Sequence, residues 1–133
     1  MDRKKLRLLI LVLVNISLGA LGGCVARRAK AAVATYSQAL KPGMTRKEAE
    51  DYFRANKIQF SQECCVGGSN IHSLVDLVKI GTRHLPVPCG DSIYYVAFIF
   101  DEQTGHPPER ILQADGQDTL QSITTFDRVD DCF

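Results

Sequence analysis

Five cysteines are the residues of this chain with the widest choice of chemistry, because a thiolate can accept a lipid, close a disulfide, exchange disulfides or bind a metal ion. They stand at Cys24, Cys64, Cys65, Cys89 and Cys132. The first lies directly behind an apolar segment, and the other four are spread through the body of the chain. The two groups therefore predict different chemistry.

Cys24 ends the pattern of a bacterial lipoprotein signal. A basic head at residues 2–7 precedes the apolar stretch Leu8–Leu21, as in secretory signals. The stretch closes with Leu21-Gly22-Gly23-Cys24, which matches the lipobox: an aliphatic residue, two small residues and the cysteine that becomes the acylated N-terminus. We therefore predict a signal peptide or membrane anchor over residues 1–23 and lipid attachment (palmitate) at Cys24.

The leader allows two other interpretations. Leu8–Ala26 is 19 residues long, enough to cross a bilayer as an uncleaved N-terminal hydrophobic helix, and basic residues follow it at 27, 28 and 30. That would be a single-pass anchor in the inner membrane. A plain cleaved signal is the second alternative. All three interpretations predict that residues 30–133 lie outside the cytoplasm.

Cys64, Cys65, Cys89 and Cys132 are an even number in an exported chain, which is typical of structural disulfides. Of the three pairings, the one that joins the adjacent Cys64 and Cys65 makes a strained ring. We favour the two in which Cys89 and Cys132 each meet one of them. In the chain-entropy model, each bridge would stabilise the fold by about 3 to 4 kcal/mol.

Other chemistry is less well supported. The chain has no C-x-x-C for thiol exchange, and Cys64, Cys65, His84 and Cys89 have no standard zinc spacing. There is no Gly-x-Ser-x-Gly elbow and no phosphate loop. We therefore expect no enzyme activity, no catalytic residue, no metal and no cofactor.

The charge balance argues against nucleic acid as a partner. The whole chain has a formal charge of +1, and residues 1–23 carry four basic side chains and one acidic one. The body that remains is therefore slightly acidic, and it has no electrostatic reason to bind nucleic acid.

Two helices are expected at the start of the body. Ala26–Leu40 has apolar residues at helical spacing and ends at Lys41-Pro42-Gly43. A second helix starts at Thr45, with Glu48 three residues later in a capping box, and should end near Asn56. Its apolar stripe is predicted at Ala49, Tyr52 and Phe53. The charged residues, which are predicted to face water, are Arg46, Lys47, Glu50, Asp51 and Arg54.

The rest of the chain favours strands. Alternation predicts one strand over Ile58–Cys64. A β-branched run favours another over Leu74–Ile80, where a helix is the alternative because Leu74, Leu77 and Val78 also fit a helical period. Ser92–Asp101 is the strongest, with Tyr94, Val96, Phe98 and Phe100 on one face. Glu109–Ala114 should pair back, and the tail from Leu120 should add a short edge segment. The pattern predicts an α+β domain over residues 36–133, after a tether and helix start at 24–35: a helix pair on one face of a three- to four-stranded antiparallel sheet.

Two stretches resemble a known family. Leu40-Lys41-Pro42-Gly43-Met44-Thr45-Arg46-Lys47-Glu48-Ala49 resembles the L-x-x-G-M-T-R-x-E-V stretch of the SmpA/OmlA (BamE-like) lipoproteins, and Tyr95–Asp101 resembles that family's central hairpin. Phe53–Lys57 stands where the family usually has a Leu-Gly-x-Pro turn. The matching motif positions, chiefly structural, are Gly43, Met44, Thr45, Arg46 and Glu48.

This resemblance implies a β-lactamase-inhibitor-like fold and a periplasm-facing lipoprotein of the outer membrane that works by contacting other proteins. The leading hypothesis is therefore a membrane-tethered envelope lipoprotein that acts non-catalytically as a protein-binding or assembly-accessory module. One alternative is an inhibitor or ligand-binding module that uses an exposed sheet face. The other is a thiol-redox protein that uses Cys64 and Cys65.

Overall fold

In the part of the chain that the structure describes, two helices precede four strands. The computed structural model describes residues 23–64, 74–84, 90–101 and 114–129. The first helix, α1, covers residues 23–39. The other elements are α2 (Arg46–Ala55), β1 (Ser61–Cys64), β2 (Leu74–Arg83), β3 (Ser92–Asp101) and β4 (Thr119–Val129). The predicted N-terminal hydrophobic helix lies almost wholly outside the described residues. Residues 24–35, predicted as a tether and helix start, are helical.

The four strands form one antiparallel sheet in the order β1-β2-β3-β4. Asp76 of β2 lies opposite Gln62 of β1 and Phe98 of β3. The register shifts once in each long pairing, between Lys79 and Gly81 and between Ile99 and Phe100. The predicted α+β class is confirmed, and so is the strand prediction for Leu74–Ile80, although β2 continues to Arg83.

The prediction for the last strand was wrong in its extent. A short edge segment was expected, but β4 has 11 residues and pairs with β3 along the whole of that strand. Ala114 is outside any strand, and residues 109–113 of the expected return strand lie outside the described part. The missed signal is composition, because β4 is rich in threonine and also contains isoleucine, valine and phenylalanine.

Both helices contribute to the main hydrophobic core on one face of the sheet. The core joins Phe53 of α2 to Val96 and Phe98 of β3, and Tyr36 of α1 packs against it. The ring centroids of Phe53 and Phe98 are 4.8 Å apart and nearly perpendicular, a favourable edge-to-face geometry. The expected strand over Ile58–Cys64 begins only at Ser61, and its first apolar residues pack on this core instead.

The opposite face of the sheet carries a smaller cluster. Val75, Leu77 and Ala97 are buried there, with Phe126 of β4 packed against them. This agrees with the predicted alternation of β3, in which successive side chains point to opposite faces. An ion pair between Glu63 of β1 and Arg128 of β4 joins the two outer strands.

Helix α2 begins with the predicted capping box. The backbone N–H of Thr45 donates to Glu48 Oε2 at 2.7 Å, and the N–H of Glu48 donates to the Thr45 hydroxyl at 3.3 Å. Gly43, with φ of 91°, adopts the left-handed conformation that favours glycine in the preceding turn. The helix ends at Ala55 with Asn56 as its C-cap, which agrees with the predicted end near Asn56.

The end of α2 uses a lysine where glycine is usual. Lys57 has φ of 56°, and its N–H donates to the carbonyl of Arg54. The N–H of Ile58 donates to the carbonyl of Phe53 at 2.8 Å, and both side chains belong to the core. These bonds form a Schellman motif, which closes the helix despite a cost of roughly 1 kcal/mol for a left-handed lysine.

Replacing Thr45 with alanine should lower the free energy of unfolding by about 1 kcal/mol, because the N–H of Glu48 loses its acceptor. Urea denaturation monitored by circular dichroism measures the loss. The control is Thr35→Ala on α1, whose hydroxyl only donates to the carbonyl of Ala31. An equal loss in both variants would show that the capping box contributes nothing specific.

Candidate functional site

A buried charged cluster lies beneath the start of α2. Arg46 is 1% exposed, Asp76 0% and Asp118 3%, and we call these three residues the Arg46 cluster. Arg46 was predicted to face water, and that prediction was wrong. It lies three residues before Ala49 and seven before Phe53, so all three share the buried side of the helix. The sequence signal was this spacing, together with an aspartate in the middle of the apolar strand β2.

The guanidinium of Arg46 binds groups from two other parts of the fold. Its Nη1 donates to Asp76 Oδ1 at 2.6 Å, and its Nη2 donates to the carbonyl of Leu74 at 2.8 Å, both on β2. Its Nε donates to Asp118 Oδ2 at 3.3 Å, just before β4. The planar group also lies over the ring of Phe100, 4.2 Å from the centroid.

Backbone bonds reinforce the same junction. The N–H of Arg46 donates to the carbonyl of Asp118 at 2.7 Å, and the N–H of Lys47 donates to the carbonyl of Gly116 at 3.0 Å. These donors belong to the first turn of α2, where no partner exists within the helix. A Cβ on Gly116 would lie 3.4 Å from Lys47 Cβ, so glycine permits this close approach. The turn at residues 115–118 therefore continues the cap of α2.

A chain of polar contacts leads from the Arg46 cluster towards the surface. The Nε2 of Gln62, opposite Asp76 in the sheet, donates to Glu50 Oε1 at 2.9 Å. Glu50 in turn accepts from Arg54 at 2.6 Å. Burial raises the pKa of Asp76 from 3.8 to about 6. The Glu50 charge raises this pKa further, whereas the nearby Arg46 guanidinium lowers it. Because Arg46 and Asp76 are closed to solvent, the cluster can hold the fold together but cannot meet a large ligand.

The predicted cysteine sites are only partly described. Cys24 is exposed and unpaired at the start of α1. Cys64 ends β1, its side chain lies outside the described part, and so do Cys65, Cys89 and Cys132. The disulfides therefore remain predictions. Within the described residues, no helix is both long and apolar enough to cross a membrane.

The residues of the motif within Leu40–Ala49 have structural roles. Gly43 forms the turn, Thr45 and Glu48 form the cap, and Arg46 centres the cluster. Met44 is half-buried and packs against the main core. His84, which was weighed as a metal ligand, is exposed and pairs with Asp91 at 2.8 Å. The described residues contain no group of three or more metal-binding side chains.

Two surface features lie elsewhere. An open cleft of about 270 Å³ lies between the residues before β1 and the face of the sheet away from the helices, and Phe60, Lys79 and Tyr95 help to line it. The second feature is the outer edge of β4. The sequence analysis did not predict the cleft, because the cleft depends on how the strands are ordered in the sheet. It did predict an edge segment from Leu120, but not the full length of β4.

Comparison of the chain with protein-family models, with curated proteins and with solved structures finds no match.

Replacing Arg46 with methionine should destabilise the fold by about 3 to 5 kcal/mol, because two buried carboxylates lose their common cation. Urea denaturation of the full chain in mild detergent gives the free energy of unfolding. Lys47→Met is the matched control on the same turn, since the Lys47 side chain is 67% exposed and its ion pair with Asp51 is open to water. Its effect should stay within about 0.5 kcal/mol. Similar losses for the two variants would contradict a structural role for the buried guanidinium.

Proposed function

We propose that this protein is a membrane-tethered envelope lipoprotein that acts without catalysis, as a protein-binding or assembly-accessory module. The leader and the motif at Leu21–Cys24 support the tether. The resemblance of Leu40–Ala49 to the SmpA/OmlA (BamE-like) lipoproteins supports a role in contacting other proteins of the outer membrane. The observation that carries the binding role is the exposed edge of β4.

Among the described residues, β4 is the last strand of the sheet. Its first two residues are already paired with the segment that precedes α2. The N–H of Leu120 donates to the carbonyl of Met44 at 2.7 Å, and the N–H of Gly43 donates to the carbonyl of Leu120 at 2.8 Å. Thr119 forms an antiparallel bridge with Thr45. Beyond Leu120, the described part of the chain places no strand beside residues 121–129. We call this segment the β4 edge.

The composition of the β4 edge suits the addition of another strand. It has no proline or lysine, the residues that commonly block edge pairing, and it contains a β-branched pair at Thr124 and Thr125. Both threonines are exposed. A partner strand would gain backbone hydrogen bonds along the edge, with side chains providing specificity.

The partner that best fits this edge is an extended segment of a different envelope protein. The middle of the edge is uncharged, and Asp127 near its end is exposed. A complementary strand would therefore carry threonine, valine or similar residues in its middle and a lysine or arginine opposite Asp127, since opposite charges across a strand pair are favourable.

The position of Cys24 is consistent with a short tether. Cys24 is exposed, and the next residue, Val25, has its Cγ1 only 3.4 Å from the place where a Cβ on Gly81 of β2 would stand. Helix α1 therefore contacts the sheet from its first described turn. A lipid on Cys24 would hold the domain directly against the membrane.

Radiolabelled palmitate should be incorporated into the wild-type chain and lost in Cys24→Ser, because the lipid-accepting thiol is removed. Gel fluorography after immunoprecipitation measures the label. Cys132→Ser is the matched control and should keep the label, since Cys132 stands 108 residues after Cys24 in the sequence and is not part of the lipobox pattern. Equal labelling of wild type and Cys24→Ser would remove the lipoprotein interpretation.

A photo-crosslinking amino acid placed at Thr125 in intact cells should give one discrete adduct with another envelope protein. The same amino acid at Asp51, on the exposed side of α2, is the control and should give none. The crosslinked peptide, identified by mass spectrometry, should be an extended segment with a basic residue. Asp127→Lys should weaken the adduct strongly, because it places two positive charges opposite each other.

Three results would contradict this proposal. An adduct of twice the mass of the chain would mean that a second copy occupies the β4 edge. An adduct that forms equally at Asp51, or one that Asp127→Lys leaves unchanged, would mean that contact does not depend on pairing with β4.

A further inference from the structure

The Arg46 cluster contains more negative than positive charge when both of its carboxylates are ionised. One guanidinium serves two aspartates, so the buried net charge is −1. Within the described part of the chain, Asp76 Oδ2 and Asp118 Oδ1 are buried and accept no hydrogen bond. A buried carboxylate oxygen without a donor is costly, and proton uptake is the simplest way to reduce that cost.

The groups that face Asp76 come from every element packed around it. Helix α2 supplies the Arg46 guanidinium and the Glu50 carboxylate. Strand β1 supplies the uncharged side chain of Gln62, which lowers the pKa of Asp76 and donates a hydrogen bond from its Nε2 to Glu50. Strand β3 supplies Phe98 opposite Asp76, and the turn before β4 supplies Asp118, which draws on the same guanidinium.

We propose that the Arg46 cluster is a proton-dependent contact, which binds α2 more firmly to the sheet when the surroundings become acidic. With Asp76 neutral, Arg46 and Asp118 form a balanced ion pair and the repulsion between Asp76 and Glu50 disappears. The contact joins α2, β2 and the 115–118 turn, so proton uptake at one carboxyl affects all three. This inference is independent of the proposed lipid and partner.

The direction of the pH effect follows from the pKa of Asp76, which is raised from 3.8 to about 6 in the folded chain. At intermediate pH the native state holds a proton that the unfolded state does not. Proton binding by Asp76 therefore stabilises the fold fully below the unfolded-state pKa of 3.8. This stabilisation is lost as the pH rises through the folded-state pKa of about 6. From this group alone, the unfolding equilibrium constant should be about tenfold larger at pH 7.5 than at pH 5.0.

The test compares urea unfolding of the full chain in mild detergent at these two pH values. For each protein, the unfolding constant at pH 7.5 is divided by the unfolding constant at pH 5.0. Because other titrating groups also contribute to this ratio, the decisive quantity is the wild-type ratio divided by the ratio for Asp76→Asn. We expect this quotient to be about ten. Asp51→Asn is the matched control, because Asp51 is exposed on α2, and its ratio should equal that of wild type. A quotient near one would overturn the proposal.

A second measurement does not depend on the folding of Asp76→Asn. Carbon-13 NMR of the Asp76 carboxyl in the native wild-type chain should show a midpoint near pH 6. Glu50→Gln should move that midpoint to lower pH, because it removes the neighbouring negative charge while keeping the shape of the side chain. A midpoint at the ordinary 3.8 in wild type would overturn the proposal on its own.

Hydrogen exchange tests the local part of the proposal. The amides of Arg46 and Lys47 donate to carbonyls of the 115–118 turn. After correction for intrinsic rates, their protection should increase from pH 7.5 to pH 5.0 in wild type and stay constant in Asp76→Asn. Protection that changes equally in both proteins would show that proton uptake at Asp76 does not strengthen this junction.

Discussion

The fold depends on a positive charge that has been removed from water. A buried guanidinium is tolerated only when its donors are satisfied and its charge is balanced. Arg46 meets this requirement with donors directed to Asp76, Asp118 and the carbonyl of Leu74, and with its flat face over Phe100. Since Arg46 belongs to α2 and its carboxylate partners belong to β2 and the turn before β4, none of these elements can move without breaking a buried ionic contact.

The same constraint positions the proposed docking edge. The 115–118 turn is attached to the first turn of α2 through the Asp118 side chain and through two backbone carbonyls. Strand β4 therefore begins beside the segment that precedes α2, which covers Thr119 and Leu120. The rest of β4 extends beyond that cover. The buried cluster and the β4 edge are thus parts of one arrangement, although they are chemically unrelated.

The local features of the fold could be predicted from the sequence because their causes lie within a few residues. The cap formed by Thr45 and Glu48 needs only a spacing of three, and the two faces of β3 follow from alternation. The α+β class follows from the order of these elements. The end of α2 was also located correctly, although its left-handed Lys57 could not be read from composition.

The candidate site was beyond local reasoning. The sequence by itself determined the capped helix, the alternating strand and the apolar stripe at Ala49 and Phe53, but it placed Arg46 on the side facing water. Only the tertiary structure decided that this position could hold a buried arginine, because its partners Asp76 and Asp118 are 30 and 72 residues away. An edge segment from Leu120 was predicted, but only the tertiary structure decided its length, since β4 pairs with β3 along the whole of that strand. Short-range spacing fixes hydrogen bonds within an element, whereas charge balance and strand order arise only when distant segments meet.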